Sequence, residues 1–211
     1  MCSQFELKVK ARGLGKCLPK LHVSPQQIPR AAEMNPRDPV LMLRAEADAY
    51  AAATARWGLM GSFLSLDPQV PVLSLRGEGL ADMPFYGKIL RSKRCLVPAT
   101  AFFTWQTPGR GECRKLRLSH PAGEVLLFAA VFDEHPQVGT SCALVTRDVG
   151  GRRLPVILNR LAASFWLADF ADFPEFPAAA FAEILALEAP ALLSEIVPEP
   201  EMSPQLAFRF A

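Results

Sequence analysis

The chain has 211 residues, half of them apolar and 21% charged, which suffices for one sizeable core or one core plus an extension. Its longest clean apolar run, residues 125–132, is too short to cross a membrane as a helix, so no membrane partner is expected. Net charge is only +2, but residues 1–160 hold 22 Lys/Arg against 13 Asp/Glu, while residues 161–211 hold one base and eight acids. That asymmetry points to a nucleic-acid-facing lobe with an acidic tail, or to solvated faces of unlike sign. Five cysteines (2, 17, 95, 113 and 142) show no Cys-x-x-Cys or Cys/His metal spacing, so neither a metal nor a cofactor is expected. With no basic-then-apolar leader at the N-terminus, a cytoplasmic protein with free thiols fits.

Residues 39–44 read as a short apolar strand. Ala45 to Ala55, rich in Ala and Glu, reads as a helix or helical turn. Pro71 to Leu75 reads as a strand, and Arg94 to Trp105 is strand-like but interrupted at Pro98. Cys113 to Leu118 alternates apolar with basic, as a half-exposed strand does. Glu124 to Phe132 and Ser141 to Thr146 read as buried strands, and Leu154 to Leu158 as another. From Leu161 the period changes, giving a helix through Phe165 and Trp166 and a second over Phe181 to Leu187. The Pro-rich end is expected to be irregular. Many short strands with helices concentrated late argue for α+β.

Cys2 follows the initiator Met, and its small side chain favours Met removal. The product is a 1,2-aminothiol, whose amine and thiol titrate near pH 8 and 8.5, so both nucleophiles are partly available at neutral pH. Such a pair condenses with an aldehyde: the amine forms an imine and the thiolate closes a thiazolidine ring. No Walker loop, Gly-x-Gly-x-x-Gly, His-Glu-x-x-His or Gly-x-Ser-x-Gly occurs, and His22, His120 and His135 lie far apart. Basic residues stand beside aromatic ones at Arg56-Trp57-Gly58, Arg91-Ser92-Lys93-Arg94 and Ala101-Phe102-Phe103-Thr104-Trp105. That pairing suits single-stranded nucleic acid, with phosphates on Arg/Lys and bases on rings; it also suits a core with a solvated edge.

In order, Cys2, Trp57-Gly58-Leu59, Arg76-x-Glu78, Arg94-Cys95-Leu96-Val97-Pro98-Ala99 with Trp105, and Leu154-Pro155-Val156-Ile157-Leu158 resemble the motifs of the SOS-response-associated peptidase (SRAP) family. His22-Val23-Ser24-Pro25-Gln26-Gln27 is similar to its Asn-Ile-Ala-Pro-Thr-Gln segment. The resemblance runs from residue 2 to about 167. It divides the chain into a SRAP-like domain, 1–167, and an acidic, Pro-rich, helical or irregular extension, 168–211. It implies an α+β fold with a barrel-like mixed β core, surrounding helices and a cationic groove for single-stranded DNA. It also implies an exposed Cys2 that cross-links to abasic sites in a DNA-damage response. Carried over by position, Cys2 is the nucleophile, Arg76 grips a phosphate, Trp57 lines the groove, and Arg94 and Arg153 join the DNA-binding set. The family's Asn, Glu and His fall on Ser74, Thr104 and Gly151, and the opening Cys-Gly-Arg-Phe has become Cys2-Ser3-Gln4-Phe5.

General acid–base assistance is typically worth about 10²–10⁴-fold. Thr104 cannot titrate usefully and Gly151 has no side chain, so three functions follow. The first is a monomeric SRAP-like protein that binds single-stranded or abasic DNA and traps the lesion through Cys2. The second is a binding module that keeps the groove without cross-linking. The third, a cysteine peptidase, lacks a base for its thiol. The acids of residues 169–201 either lie across the basic groove or are solvated.

Overall fold

The computed structural model describes residues 3–29, 31–47, 49–106, 113–170, 178–188 and 190–198. In chain order these form β1 (Phe5–Glu6), α1 (Ala11–Leu14), β2 (Leu21–His22), β3 (Glu33–Met34), β4 (Pro39–Glu46), β5 (Ala49–Trp57) and β6 (Ser74–Arg76). Then come α2 (Tyr86–Ser92), β7 (Arg94–Ala99), β8 (Ala101–Gln106), β9 (Arg114–Ser119), β10 (Leu126–His135) and β11 (Gly139–Val149). The last are β12 (Arg152–Pro155), β13 (Ile157–Leu158), α3 (Arg160–Leu167), α4 (Ala178–Ala186) and β14 (Leu193–Ile196).

Strands β11, β10, β7, β4 and β5 pair in that order, and β5 pairs back onto β11 through Arg56↔Ser141 and Trp57↔Cys142. The sheet therefore closes into a ring. The closing contact is parallel and the other ring contacts are antiparallel, so the ring is mixed. Closure leaves the ring strands no bare edge. A second, antiparallel sheet runs β14-β9-β8-β1-β3.

Strand alternation sorts the ring's side chains onto two covered faces. From β10, Leu127, Ala129 and Val131 join one apolar cluster with Leu14, Leu90, Trp166 and Phe181, contributed by the four helices. Leu126, Phe128, Ala130 and Phe132 join the other, with Phe5, Met34 and Phe102 from the second sheet. Strands buried on both faces read as continuous apolar runs, which is why β10 and β11 stand out in the sequence.

The Ala-rich segment is not helical. It is the end of β4, a turn at Ala47 and β5, paired residue for residue from Pro39↔Arg56 to Glu46↔Ala49. A long hairpin partner outweighs the weak intrinsic preference of Ala and Glu for helix. Pro98 does not interrupt β7: the break falls at Thr100, and Pro98 stays in register with Leu127. β14 lies between Pro190 and Pro198, where no element is expected from the sequence; the end expected to be irregular lies, from residue 199 on, outside the described residues. Residues 181 and 185 of α4 sit in the first apolar cluster, so truncation from residue 170 would remove core side chains as well as acids.

Phe5 is 1% exposed and sits edge-on to Trp57 and Phe128. Phe5→Ala is expected to cost about 3–5 kcal/mol of unfolding free energy, measured by urea denaturation. A loss below about 1 kcal/mol would show that the ring does not anchor β1.

Candidate functional site at the start of the chain

β1 is only two residues long, yet it is held on both sides. Phe5 pairs with Phe102 of β8 and with Met34 of β3. The Phe103 amide donates to the Gln4 carbonyl at 3.0 Å, the Thr100 amide to Glu6 at 2.7 Å, and the Leu7 amide to Ala32 at 2.8 Å. Below the strand, the Phe5 ring meets Trp57 at 4.8 Å and 64°. The Trp57 indole N–H donates to the Leu73 carbonyl at 3.1 Å, one residue before β6. The backbone of residue 73 also accepts from the Leu144 amide, at 3.0 Å. One aromatic contact thus ties the start of the chain to the strand carrying Ser74 and Arg76.

The outer face of β1 is polar. Gln4 donates to Glu33 at 2.9 Å and accepts from the Lys115 ammonium, which lies 4.2 Å from the Phe103 ring centroid. Glu6, 3% exposed, pairs with Arg117 at 3.1 Å and Lys8 at 3.3 Å. Arg117 also reaches Glu195 of β14 at 3.1 Å. Burial pushes the Glu6 carboxyl up, but the hydrogen bonds from Arg117 and Lys8 outweigh it and hold the group below its ordinary value.

At the end of β6, Arg76 is exposed, and no hydrogen bond or ion pair reaches its guanidinium among the described residues. Glu78, two residues on, accepts from Arg153 at 2.6 Å and from the Asp148 amide at 3.0 Å. Burial raises Glu78, and these bonds lower it further than burial lifts it. The clamp fastens β6 to the β11–β12 hairpin. Gly150 and Gly151 turn that hairpin with φ of 60° and 79°, the left-handed pair that a tight two-residue connection needs.

A family model described as SOS response associated peptidase (SRAP) matches residues 1–186. The chain belongs to the SRAP family. Among curated relatives, the abasic site processing protein YobE of Bacillus subtilis is 25% identical over 134 residues, covering 57% of this chain and 60% of that protein. The abasic site processing protein HMCES of Gallus gallus is 29% identical over 153 residues, covering 56% and 45%. The chain thus matches 60% or less of the length of these relatives. A solved structure from Bacteroides thetaiotaomicron superposes with a TM-score of 0.76 at 15% identity, covering 93% of this chain and 92% of the other. A phage-related protein from Bordetella bronchiseptica gives 0.71 at 22% identity, covering 94% and 95%. These structural likenesses establish a shared fold.

Within that fold the expected site residues fall on different elements. Cys2 lies outside the described residues. Ser74 is half-buried on β6 opposite Leu144, two residues from Arg76. Thr104 is 3% exposed on β8 of the other sheet, and no hydrogen bond joins it to Ser74 among the described residues. Arg153 reaches the same region as Arg76, but its charge is matched by Glu78.

Trp57 and Arg94 are placed differently from the sequence reading. Trp57 is fully buried, so its ring has no face to offer a base; it positions β6 instead. Arg94 is 7% exposed. Its guanidinium donates to the carbonyls of Leu90, Arg91, Trp166 and Ala168, and lies 5.4 and 5.1 Å from the Phe170 and Phe181 rings. These carbonyls end α2 and α3, where unsatisfied acceptors carry partial negative charge. Burial lowers the Arg94 pKa to about 10, which leaves it charged at neutral pH.

The sequence motifs include Gln4 and Glu78 without giving either a role, and Glu6, Lys115 and Arg117 are not singled out at all. The basic alternation of residues 113–118 marks two of them; the partners that give it meaning lie on β1 and β14. Buried Cys95 and Cys142 have thiols pushed up by desolvation, Cys142 to about 12, so neither is a nucleophile at neutral pH. A cleft of about 720 Å³, lined by Lys16, Cys17, His120 and Arg160 among others, includes none of Ser74, Arg76 or Thr104.

The Asp133 carboxyl is raised by burial, but bonds from Lys93 and from the Ser62 and Glu134 amides hold it, like Glu6, below the usual range. A depressed folded pKa gives stability that is present above the unfolded value, about 4, and lost as pH falls through the folded one. Glu6→Gln is therefore expected to lower the urea midpoint at pH 7 and to flatten its decline between about pH 5 and 3. An unchanged acid profile would contradict the assigned Glu6 pairing.

Proposed function

We propose that this SRAP-family chain binds single-stranded DNA and captures abasic sites through Cys2 once Met1 has been removed. The anchored start of the chain carries the proposal. Gln4, two residues after Cys2 in the chain, is fixed between β8, Glu33 and Lys115. Arg76 offers an unpaired cation for a phosphate, and its strand is tied to β1 through Trp57.

The chemistry needs no cofactor. The α-amine attacks the aldehyde carbon of the opened sugar, and loss of one water gives an imine. The thiolate then adds to the imine carbon and the thiol proton passes to nitrogen, closing the thiazolidine. Relatives named abasic site processing proteins support this reading.

A second reading, binding without cross-linking, draws on Thr104 and the Gly150–Gly151 hairpin. Neither supplies a titrating group for imine formation or sugar opening. An aminothiol still reacts unaided, so slower capture distinguishes the first reading from the second.

Incubation of Met1-free protein with abasic single-stranded DNA should give a denaturation-resistant band that Cys2→Ala abolishes. Arg76→Ala should weaken oligonucleotide binding roughly tenfold at low salt, with the difference shrinking as salt rises. Salt-sensitive binding without any band would establish the second reading. Absence of binding at low salt would remove both.

A further inference from the structure

Strand pairing places Trp105 opposite Lys115, and Phe103 opposite Arg117, on the outer face of the second sheet. Trp105 is 52% exposed. The Lys115 ammonium covers the Phe103 ring and bonds Gln4, which continues this face to the start of the chain. Cations spaced two residues apart, with an open indole beside them, match the needs of a single strand: phosphates on the cations and a base on the ring.

This face is bordered by an acidic edge strand. β14 pairs with β9 along Leu193↔Ser119 to Ile196↔Leu116, and the Val197 amide extends the ladder to the Lys115 carbonyl at 2.9 Å. Glu195 lies opposite Arg117 and takes one arm of its guanidinium. All four residues of β14 are exposed, whereas every other strand at least half-buries one residue. Leu192 and the α4 residues Phe181 and Leu185, which pack on the core, precede β14 in the chain. Removing β14 from β9 therefore breaks a short ladder and an ion pair while leaving both apolar clusters intact. Elements with this few buried contacts occupy the low-stability end of a fold.

We propose that the outer face of β8 and β9 is a second single-strand track, made by Trp105, Lys115 and Arg117, and that β14 is its displaceable acidic border. The Glu195 carboxylate holds the place on Arg117 that a phosphate takes when the strand binds. The inference rests on the single-stranded DNA reading and adds a site and its regulation to it.

Fluorescence anisotropy with a labelled, undamaged oligothymidylate tests it on the full chain. Trp105→Ala should weaken binding about fivefold or more, since stacking is worth about 1–3 kcal/mol per base. Glu195→Gln should tighten binding about two- to fivefold at roughly 50 mM salt, with the gain vanishing near 500 mM. Both residues are at least half exposed, and thermal melting checks that each variant folds. Amide exchange in residues 193–197 should rise when the oligonucleotide binds. If both variants bind like the parent while Arg76→Ala weakens binding, the track and its acidic border are wrong and the Arg76 contact stands. If no variant, nor the parent, binds at low salt, both are wrong.

Discussion

The edge of Phe5 against Trp57, with the Trp57 indole bonded to the Leu73 carbonyl, holds the candidate site together. β1 has too few residues to hold itself in place by backbone pairing. The Phe5 ring supplies the anchor, beneath a strand whose outer face carries Gln4 and Glu6. From Trp57 the link passes to the residue before β6, and β6 ends on Arg76. β1 and the exposed cation are therefore linked through the same buried ring. An aromatic edge contact is worth only about 0.5–1.5 kcal/mol beyond its burial, so its role is geometric more than energetic.

Closure of the ring makes that geometry rigid. β5 meets β11 through Arg56↔Ser141 and Trp57↔Cys142, so the Trp57 backbone belongs to the seam of the ring. The loop that follows is fastened from β10 and β11. Ser141 bonds both the amide and the carbonyl of Met60, Asp133 accepts from the Ser62 amide at 2.6 Å, and the His135 ring bonds the Leu64 carbonyl. On the helical side, Arg94 serves as a common donor for the ends of α2 and α3. Removing a buried cation's partners leaves it uncompensated, which is costly; here the partners are backbone carbonyls that no substitution deletes.

Much of the fold was legible in the sequence because a strand buried on both faces is a run of apolar residues, and 125–132 and 141–146 are such runs. The Ala-rich hairpin was not legible, since its conformation is imposed by β4 and by ring closure. Trp57 and Arg94 show the limit for site residues. An aromatic or a basic residue in a motif reads the same whether it faces a ligand or the core. The carbonyls that bury Arg94 lie up to 74 residues away, so nothing local marks it. Arg76 was legible as a cation in a motif, and the structure adds that it alone of the expected arginines has no partner among the described residues. The alternation of 113–118 predicted a half-exposed strand correctly. Its neighbour β14 has no periodicity of its own and is a strand only because β9 presents an edge.

Localising the adduct by tandem mass spectrometry most directly tests whether Cys2 is the reactive group. Protein lacking Met1 is conjugated to abasic single-stranded DNA, digested and sequenced. The account predicts the sugar remnant on residue 2, joined through both nitrogen and sulfur, at the mass of the aldehyde less one water. A remnant on a lysine side chain such as Lys115, or a conjugate equally abundant in Cys2→Ala, would contradict it.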